Sequence, residues 1–149
     1  MAVTMEQVLG LIDKDEPEYE QAAKLGPEAV ALLQTISEGD NVLLASKAAY
    51  LASLIGGDGA ADLLQKAAQR PEPELRVSVA HALRNADEGQ HVLLESLLSD
   101  ADVGVRRMAL TTVGRIGAKP LFDRVKELSK NDPEKFLRET AADTLKRIK

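Results

Sequence analysis

The clearest hydrophobic pattern in the chain is a stripe of apolar residues between Asp102 and Gly117. Steps of four, four and three residues separate Val105, Ala109, Val113 and Ile116. An α-helix has 3.6 residues per turn, so this spacing brings the four side chains onto one helical face. Asp102 is suited to cap the first turn, and Gly117 suits the left-handed residue that often ends a helix.

The same helix pattern occurs three more times along the chain. Its anchor residues are Leu44, Leu75, Val105 and Leu137, so the intervals are 31, 30 and 32 residues. Between the copies lie leucine-rich segments that predict second helices over 60–69, 89–99 and 120–129. A fixed period of this size is typical of stacked helix pairs, each of which buries its apolar stripe against the next pair.

The first forty residues carry weaker signals. Thr4 and Gln7 form a capping-box pattern at the start of a predicted helix over 4–13. Two further helices, expected over 18–25 and 28–37, form a degenerate repeat. At the other end of the chain, Asp132 followed by Pro133 predicts the start of the last helix, with a cap and a first-turn proline in sequence.

These repeated residues resemble the HEAT family, and in particular its short bacterial, PBS-lyase-like repeats, whose motif reads D-x-x-V-R-x-x-A-x-x-A-L-x-x-I-G. The third copy matches it best, through Asp102, Val105, Arg106, Ala109, Ile116 and Gly117. The resemblance implies an all-α, armadillo-like fold. We expect a right-handed α-solenoid of about 4.5 HEAT-like helix pairs, roughly ten helices, with first helices on the convex layer and second helices on the concave one.

On this basis the chain is a single domain over 1–149. Residues 1–40 form an N-terminal cap and a degenerate repeat. The repeats cover 41–70, 71–100 and 101–131, and residues 132–149 form a C-terminal half repeat.

The HEAT family often has an aspartate six residues before the motif arginine, and the two residue types form a ladder between neighbouring repeats. Asp100 and Arg106 have this spacing, as do Asp132 and Arg138. The earlier copies depart from it: Arg70 stands where the second copy should have its aspartate, and Ala45 replaces the arginine of the first. The resemblance therefore implies a ladder that is complete only in the C-terminal half.

Composition narrows the possible classes of protein. The chain has no cysteine, which excludes disulfides and thiolate metal sites. No signal-peptide pattern and no apolar run of about 20 residues is found, so we expect a cytoplasmic protein outside the membrane. The net charge of −5 divides into −10 over residues 1–100 and +5 over residues 101–149. This asymmetry either steers an anionic partner or simply reflects solvated outer faces.

The sequence contains no coherent set of catalytic residues. His81 and His91 are the only histidines, and neither has the spacing of a helical metal site. No His-Glu dipeptide is present, although di-iron enzymes among HEAT-type proteins use repeated His-Glu pairs. The glycine-rich run at 56–59 lacks the Gly-Lys-Ser/Thr ending of a phosphate loop. We therefore expect no enzyme activity, no cofactor and no metal site.

The predicted function is a non-catalytic scaffold or adaptor that binds another protein on its concave surface or rim. The candidate contact residues are Gln65, Gln69, His91, Glu95, Phe122 and Lys126, together with the basic residues Arg107, Arg115 and Arg124. Two alternatives stay open. One is a lyase-like enzyme or enzyme subunit of the PBS-lyase type, and the other is nucleic-acid binding through the basic C-terminal end. A pI near 5.1 and a single candidate stacking residue, Phe122, disfavour nucleic acid.

Overall fold

The computed structural model of the protein describes residues 2–148, and within that range it contains ten α-helices and no strand. The helices are α1 Met5–Ile12, α2 Tyr19–Ala23, α3 Val30–Ser37, α4 Val42–Ile55, α5 Asp58–Ala67, α6 Pro73–Ala82, α7 His91–Leu97, α8 Val103–Ile116, α9 Phe122–Asn131 and α10 Lys135–Arg147. Single 3-10 turns cover Pro27–Ala29, Leu83–Asn85, Glu88–Gln90 and Lys119–Leu121. The all-α prediction is confirmed for this part of the chain.

The local signals at helix ends act as the sequence predicts. The Thr4 hydroxyl accepts a hydrogen bond from the Gln7 N–H at 3.2 Å, and the Gln7 side chain accepts one from the Thr4 N–H at 2.8 Å. The Asp102 carboxylate accepts from the Val105 N–H at 3.0 Å and so caps α8. Gly117 ends α8 in the left-handed conformation, with φ of 66°. These contacts fix where the helices begin and end.

The predicted start of the last helix is wrong by two residues. The helix α10 begins at Lys135, and Glu134 rather than Asp132 stands at its cap position. The Asp132 carboxylate does accept a hydrogen bond from the Glu134 N–H at 2.9 Å, but its two oxygens also bind Arg106 of the preceding repeat. Asp132 therefore joins two repeats instead of capping a helix.

The first helices of successive repeats form the more closely packed of two layers. Along this layer α2 contacts α4, α4 contacts α6, α6 contacts α8, and α8 contacts α10. The second helices α3, α5 and α9 pack mainly against the first helices beside them, and α5, α7 and α9 touch one another little. The order of elements in the chain is therefore also their order along the first layer.

Small side chains lie in the seams between the first helices. The fully buried alanines of this layer are Ala22, Ala45, Ala48, Ala49, Ala52, Ala80, Ala82, Ala109 and Ala141. Because these side chains are short, the helix backbones approach closely enough for the Thr112 hydroxyl on α8 to donate to the Ala80 carbonyl on α6 at 2.8 Å. Larger leucines, among them Leu33, Leu63, Leu94 and Leu110, fill the core.

Two arginine–aspartate pairs in the described residues tie neighbouring copies of the motif together. Arg106 donates from Nε and Nη2 to the two oxygens of Asp132 at 2.9 and 3.3 Å, and from Nη1 to the Asp100 carbonyl at 2.9 Å. Arg76 does the same with Asp100, at 2.9 and 3.0 Å, while its Nη1 reaches the Arg70 carbonyl at 2.8 Å. Such bidentate, charge-assisted bonds are among the strongest in proteins.

This geometry corrects the expected ladder. Arg76 and Arg106 each pair with the aspartate that precedes the next copy of the motif. Each also binds the backbone carbonyl six positions earlier, as Arg138 does with the Asp132 carbonyl at 2.6 Å. Arg76 and Asp100 therefore also form a complete arginine–aspartate pair, which is one rung of the ladder. The sequence had predicted complete rungs only in the C-terminal half. Burial opposes ionisation of Asp100, but hydrogen bonds from Arg76 and from the Asp102 N–H outweigh it, so the pKa of Asp100 lies below its usual range.

Arg70 forms a rung of the opposite direction. Ala45 has no guanidinium, so the first copy cannot reach forward to its neighbour. Arg70 reaches back instead, donating to the carbonyls of Ser37 and Gly39 at 2.8 and 3.2 Å and pairing with Glu72 at 2.8 Å. Gly39 lies six residues before Ala45, so its carbonyl is the one that an arginine at position 45 would have bound. The departure of Arg70 from the motif thus compensates for the departure of Ala45.

The Arg106–Asp132 rung should contribute strongly to stability. Replacing Arg106 by Ala leaves the Asp132 carboxylate, which is 1% exposed, without its guanidinium. We expect the free energy of unfolding to fall by about 3 kcal/mol, since one partner of a buried pair is lost. Urea denaturation measures this change. Arg107→Ala is the matched control, because Arg107 is exposed, and a loss as large as that of Arg106→Ala would contradict the assignment.

The seam between first helices predicts a second effect on stability. Ala109 is 0% exposed, so Ala109→Asp buries an unpaired charge and should abolish folding or lower the melting temperature severely. Thr111→Asp, two residues away on the exposed side of α8, should melt close to the wild-type temperature. Thermal unfolding followed by circular dichroism compares the two, and equal melting temperatures would show that the seam is misassigned.

Candidate partner-binding groove

A column of aromatic rings runs across the first-helix layer. Tyr19 begins α2, Tyr50 lies within α4, and His81 lies near the end of α6. Successive members of the column are 31 residues apart in the sequence. The ring centroids of Tyr19 and Tyr50 are 4.7 Å apart, and those of Tyr50 and His81 are 5.5 Å apart with an interplanar angle of 30°. The spacing equals the repeat period, so the three rings occupy equivalent places in successive helices.

The column lines an open groove of about 520 Å³ that extends from α2 to α8. Its other apolar walls are Pro17, Leu43, Val77 and Met108. Leu43 is 68% exposed, an unusually large exposure for a leucine beside other apolar groups. A contiguous apolar surface of this kind, open to solvent and with polar groups beside it, marks a site of interaction more often than isolated exposed residues do.

The polar side of the groove is built by the contact between α4 and the segment that joins α1 to α2. The Lys47 ammonium lines the groove and donates to the Lys14 carbonyl at 2.7 Å. The Lys14 side chain in turn pairs with Glu18 at 2.6 Å, at the residue before α2. These bonds hold the segment that carries Pro17 and Tyr19 against α4, so the first ring of the column has a fixed position.

His81 and Tyr19 both have shifted pKa values. Burial lowers the pKa of His81 first, and the positive charges of Arg84 and Arg115 lower it further. His81 is therefore uncharged at neutral pH, which allows its ring to stack on Tyr50 without the cost of desolvating a cation. Burial, followed by the proximity of Tyr50, raises the pKa of Tyr19. The column is thus a neutral aromatic surface at neutral pH.

The six candidates on second helices lie in a different part of the molecule. Gln65 and Gln69 come together in a groove of about 400 Å³ between α5 and α7, whose opposite wall includes Val92 and Ser96. His91 is half-buried at the start of α7 and does not line this groove. Further along the chain Glu95 and Lys126 are exposed, while Phe122 is partly buried and packs against the core.

The three basic candidates are also divided between the layers. Arg124 on α9 is engaged within the protein, because it donates to the Ser99 hydroxyl at 2.5 Å and lies 3.3 Å from Glu127. Arg107 and Arg115 are exposed on α8, in the first-helix layer. The nine candidate residues therefore do not converge on one surface.

Sequence reasoning missed the aromatic groove. It considered His81 only as a candidate metal ligand and did not consider Tyr19 or Tyr50. The available signal was the spacing of Tyr19, Tyr50 and His81 at the repeat period, in a chain that contains only two tyrosines. That spacing places three rings in one column of a stacked array, whereas most of the predicted partner contacts lie on second helices.

No group of three or more acidic or histidine side chains in residues 2–148 is arranged to hold a metal ion. Over the same range, every helix is too short or too polar to cross a bilayer. Comparison of the sequence with protein-family models and with curated proteins found no match. The groove and its charges are therefore the observations from which function has to be inferred.

The lowered pKa of His81 predicts how stability depends on pH. In the unfolded chain His81 binds a proton near pH 6.5, whereas the folded protein resists protonation there. The unfolded state then binds more protons, so the free energy of unfolding should decrease as the pH falls from about 7 to about 5.5. His81→Phe, which keeps an aromatic ring, should reduce this decrease, as urea titrations at each pH can measure.

His91→Gln is the control for that measurement. This variant retains His81, so its free energy of unfolding should still decrease as the pH falls. If His81→Phe and the wild-type chain lose stability equally over this pH range, His81 is not the group responsible.

Proposed function

We propose that the protein is a non-catalytic interaction module of the HEAT-like α-solenoid type, which binds a partner protein in the aromatic groove of its first-helix layer. The observation that carries this proposal is the column of Tyr19, Tyr50 and His81 beside the exposed Leu43. Tyrosine contributes a large contact area together with a polar group, and it is enriched among the residues that dominate binding energy at interfaces.

Packing supports placing this groove on the inner side of a curved array. In two stacked layers of helices, the layer whose members lie closer together is the inner one. The direct contacts of α4 with α6 and of α6 with α8, set against the sparse contacts among α5, α7 and α9, favour the first helices for this role. This is the reverse of the expectation that second helices line the concave surface. Such inner surfaces are the usual binding surfaces of repeat proteins.

The groove fits a protein segment better than a small ligand. At about 520 Å³ it matches the size of a ligand pocket, but it is open along its length and so cannot surround a small molecule. Neighbouring helix axes lie about 9 Å apart, so a groove from α2 to α8 is roughly 27 Å long. An extended segment of about eight residues spans that distance.

The absence of cysteine from the sequence allows a direct test with single introduced cysteines. Ser78 lines the aromatic groove, and Ser96 lines the groove between α5 and α7. We expect a photo-cross-linker on Ser78→Cys to capture a partner protein of defined mass from native extract, whereas the same label on Ser96→Cys should not. Mass spectrometry of the cross-linked peptides identifies the contact.

A matched pair of surface variants controls the same experiment. Leu43 and Val92 are 68% and 69% exposed, so either can be replaced by Asp with little effect on folding. Leu43→Asp should abolish capture by the Ser78→Cys probe, and Val92→Asp should leave it unchanged. Capture from Ser96→Cys alone, or capture that survives Leu43→Asp, would contradict the proposed site.

A further inference from the structure

Some arginines in and beside the first helices differ from those that form rungs. Arg70, Arg76 and Arg106 each pair with a carboxylate. In residues 2–148, by contrast, no ion pair is found for Arg84, Arg107 or Arg115. Arg84, two residues after α6, donates from Nε to the His81 carbonyl at 3.1 Å, and Arg115 in the last turn of α8 lies near enough to lower the pKa of His81. Both guanidinium groups therefore flank the part of the groove that His81 lines.

The opposite end of the groove is acidic. Asp15 and Glu16 are exposed immediately before Pro17, and they have no ion pair within the described part of the chain. Glu18 is neutralised by Lys14, and Lys47 contributes a positive charge at the groove wall. The apolar floor is therefore bounded by carboxylates beside α2 and by guanidinium groups beside α6 and α8.

We infer that the groove takes an amphipathic segment of a partner protein in one orientation, with apolar side chains between Tyr50 and Met108 and carboxylates over Arg84 and Arg115. This inference rests on the proposed function and specifies the chemistry of its partner. Complementary charges at the rim of an apolar contact select the partner and fix its direction more than they raise its affinity. A segment acidic at both ends is disfavoured by Asp15 and Glu16.

Two other occupants have less support. A nucleic acid presents phosphates along its whole length, and these would meet the carboxylates beside Pro17. A second copy of the chain would have to pack its own aromatic groove or another apolar face against this groove. Both enter the test below as outcomes that overturn the inference.

A random dodecapeptide library displayed on phage provides the probe. Peptides are selected on the immobilised full chain and counter-selected on Leu43→Asp, with Val92→Asp as the matched control. We expect the peptides that depend on Leu43 to share a large apolar residue followed, on one side only, by Asp or Glu. Their binding should weaken as salt is raised, because the charges of Arg84 and Arg115 lie at a solvated rim.

Charge reversal gives the decisive comparison. The double variant Arg84→Glu, Arg115→Glu should bind the acidic peptides about tenfold more weakly, since attraction at two rim positions becomes repulsion. A fresh selection on this variant should yield Lys or Arg in place of Asp or Glu. The double variant Lys119→Glu, Lys130→Glu makes the same change of net charge at exposed positions away from the groove, and it should retain the original binding.

The outcomes separate this inference from the function on which it rests. Peptides that depend on Leu43 but show no preference for acidic residues would overturn the partner chemistry and leave the docking site intact. A failure to select any peptide that depends on Leu43 would overturn the docking site itself. Binding of an oligothymidine that Leu43→Asp abolishes, or self-association of the chain that Leu43→Asp abolishes in sedimentation velocity, would assign the groove to nucleic acid or to a second copy.

Discussion

The close approach of successive first helices is the constraint on which the rest of the structure depends. Alanines in the seams, such as Ala49 and Ala109, allow the backbones of α4, α6 and α8 to approach, and the hydrogen bond from Thr112 to the Ala80 carbonyl shows how near they come. A larger side chain in a seam would separate the helices. It would also separate the rings that stand at equivalent positions on the same helices, because those positions are set by the same repeat.

The arginine rungs also hold successive repeats close together. Arg76 and Arg106 each bind one carboxylate ahead and one backbone carbonyl behind, so a single side chain satisfies buried polar groups from two repeats. The reversed rung at Arg70 reaches the carbonyls of Ser37 and Gly39 from the opposite direction. The requirement is therefore for a guanidinium between the two repeats, and it can be supplied from either side.

These two constraints explain why an apolar groove forms beside α2, α4 and α6. The contacts between first helices and the arginine rungs bury most of the repeated motif. The positions of Tyr50, His81 and Thr111 stay accessible to solvent. Where those positions carry rings, as on α2, α4 and α6, the outward face becomes an apolar groove. Where α8 carries Thr111 between Arg107 and Arg115, the same face becomes polar and cationic. Variation at one repeated position thus sets the chemistry of the surface.

The sequence by itself determined the helices, their caps at Thr4 and Asp102, and the left-handed end at Gly117, because these depend on neighbours within one or two turns. It also predicted copies of one motif at intervals of 30 to 32 residues, since the apolar pattern of each copy is a local property. Only the tertiary structure decided which repeat each arginine contacts, why Asp132 does not cap α10, and which layer packs more closely. Those choices depend on contacts between residues 24 to 33 positions apart, such as Arg76 with Asp100 and Arg70 with Ser37, which local spacing does not specify.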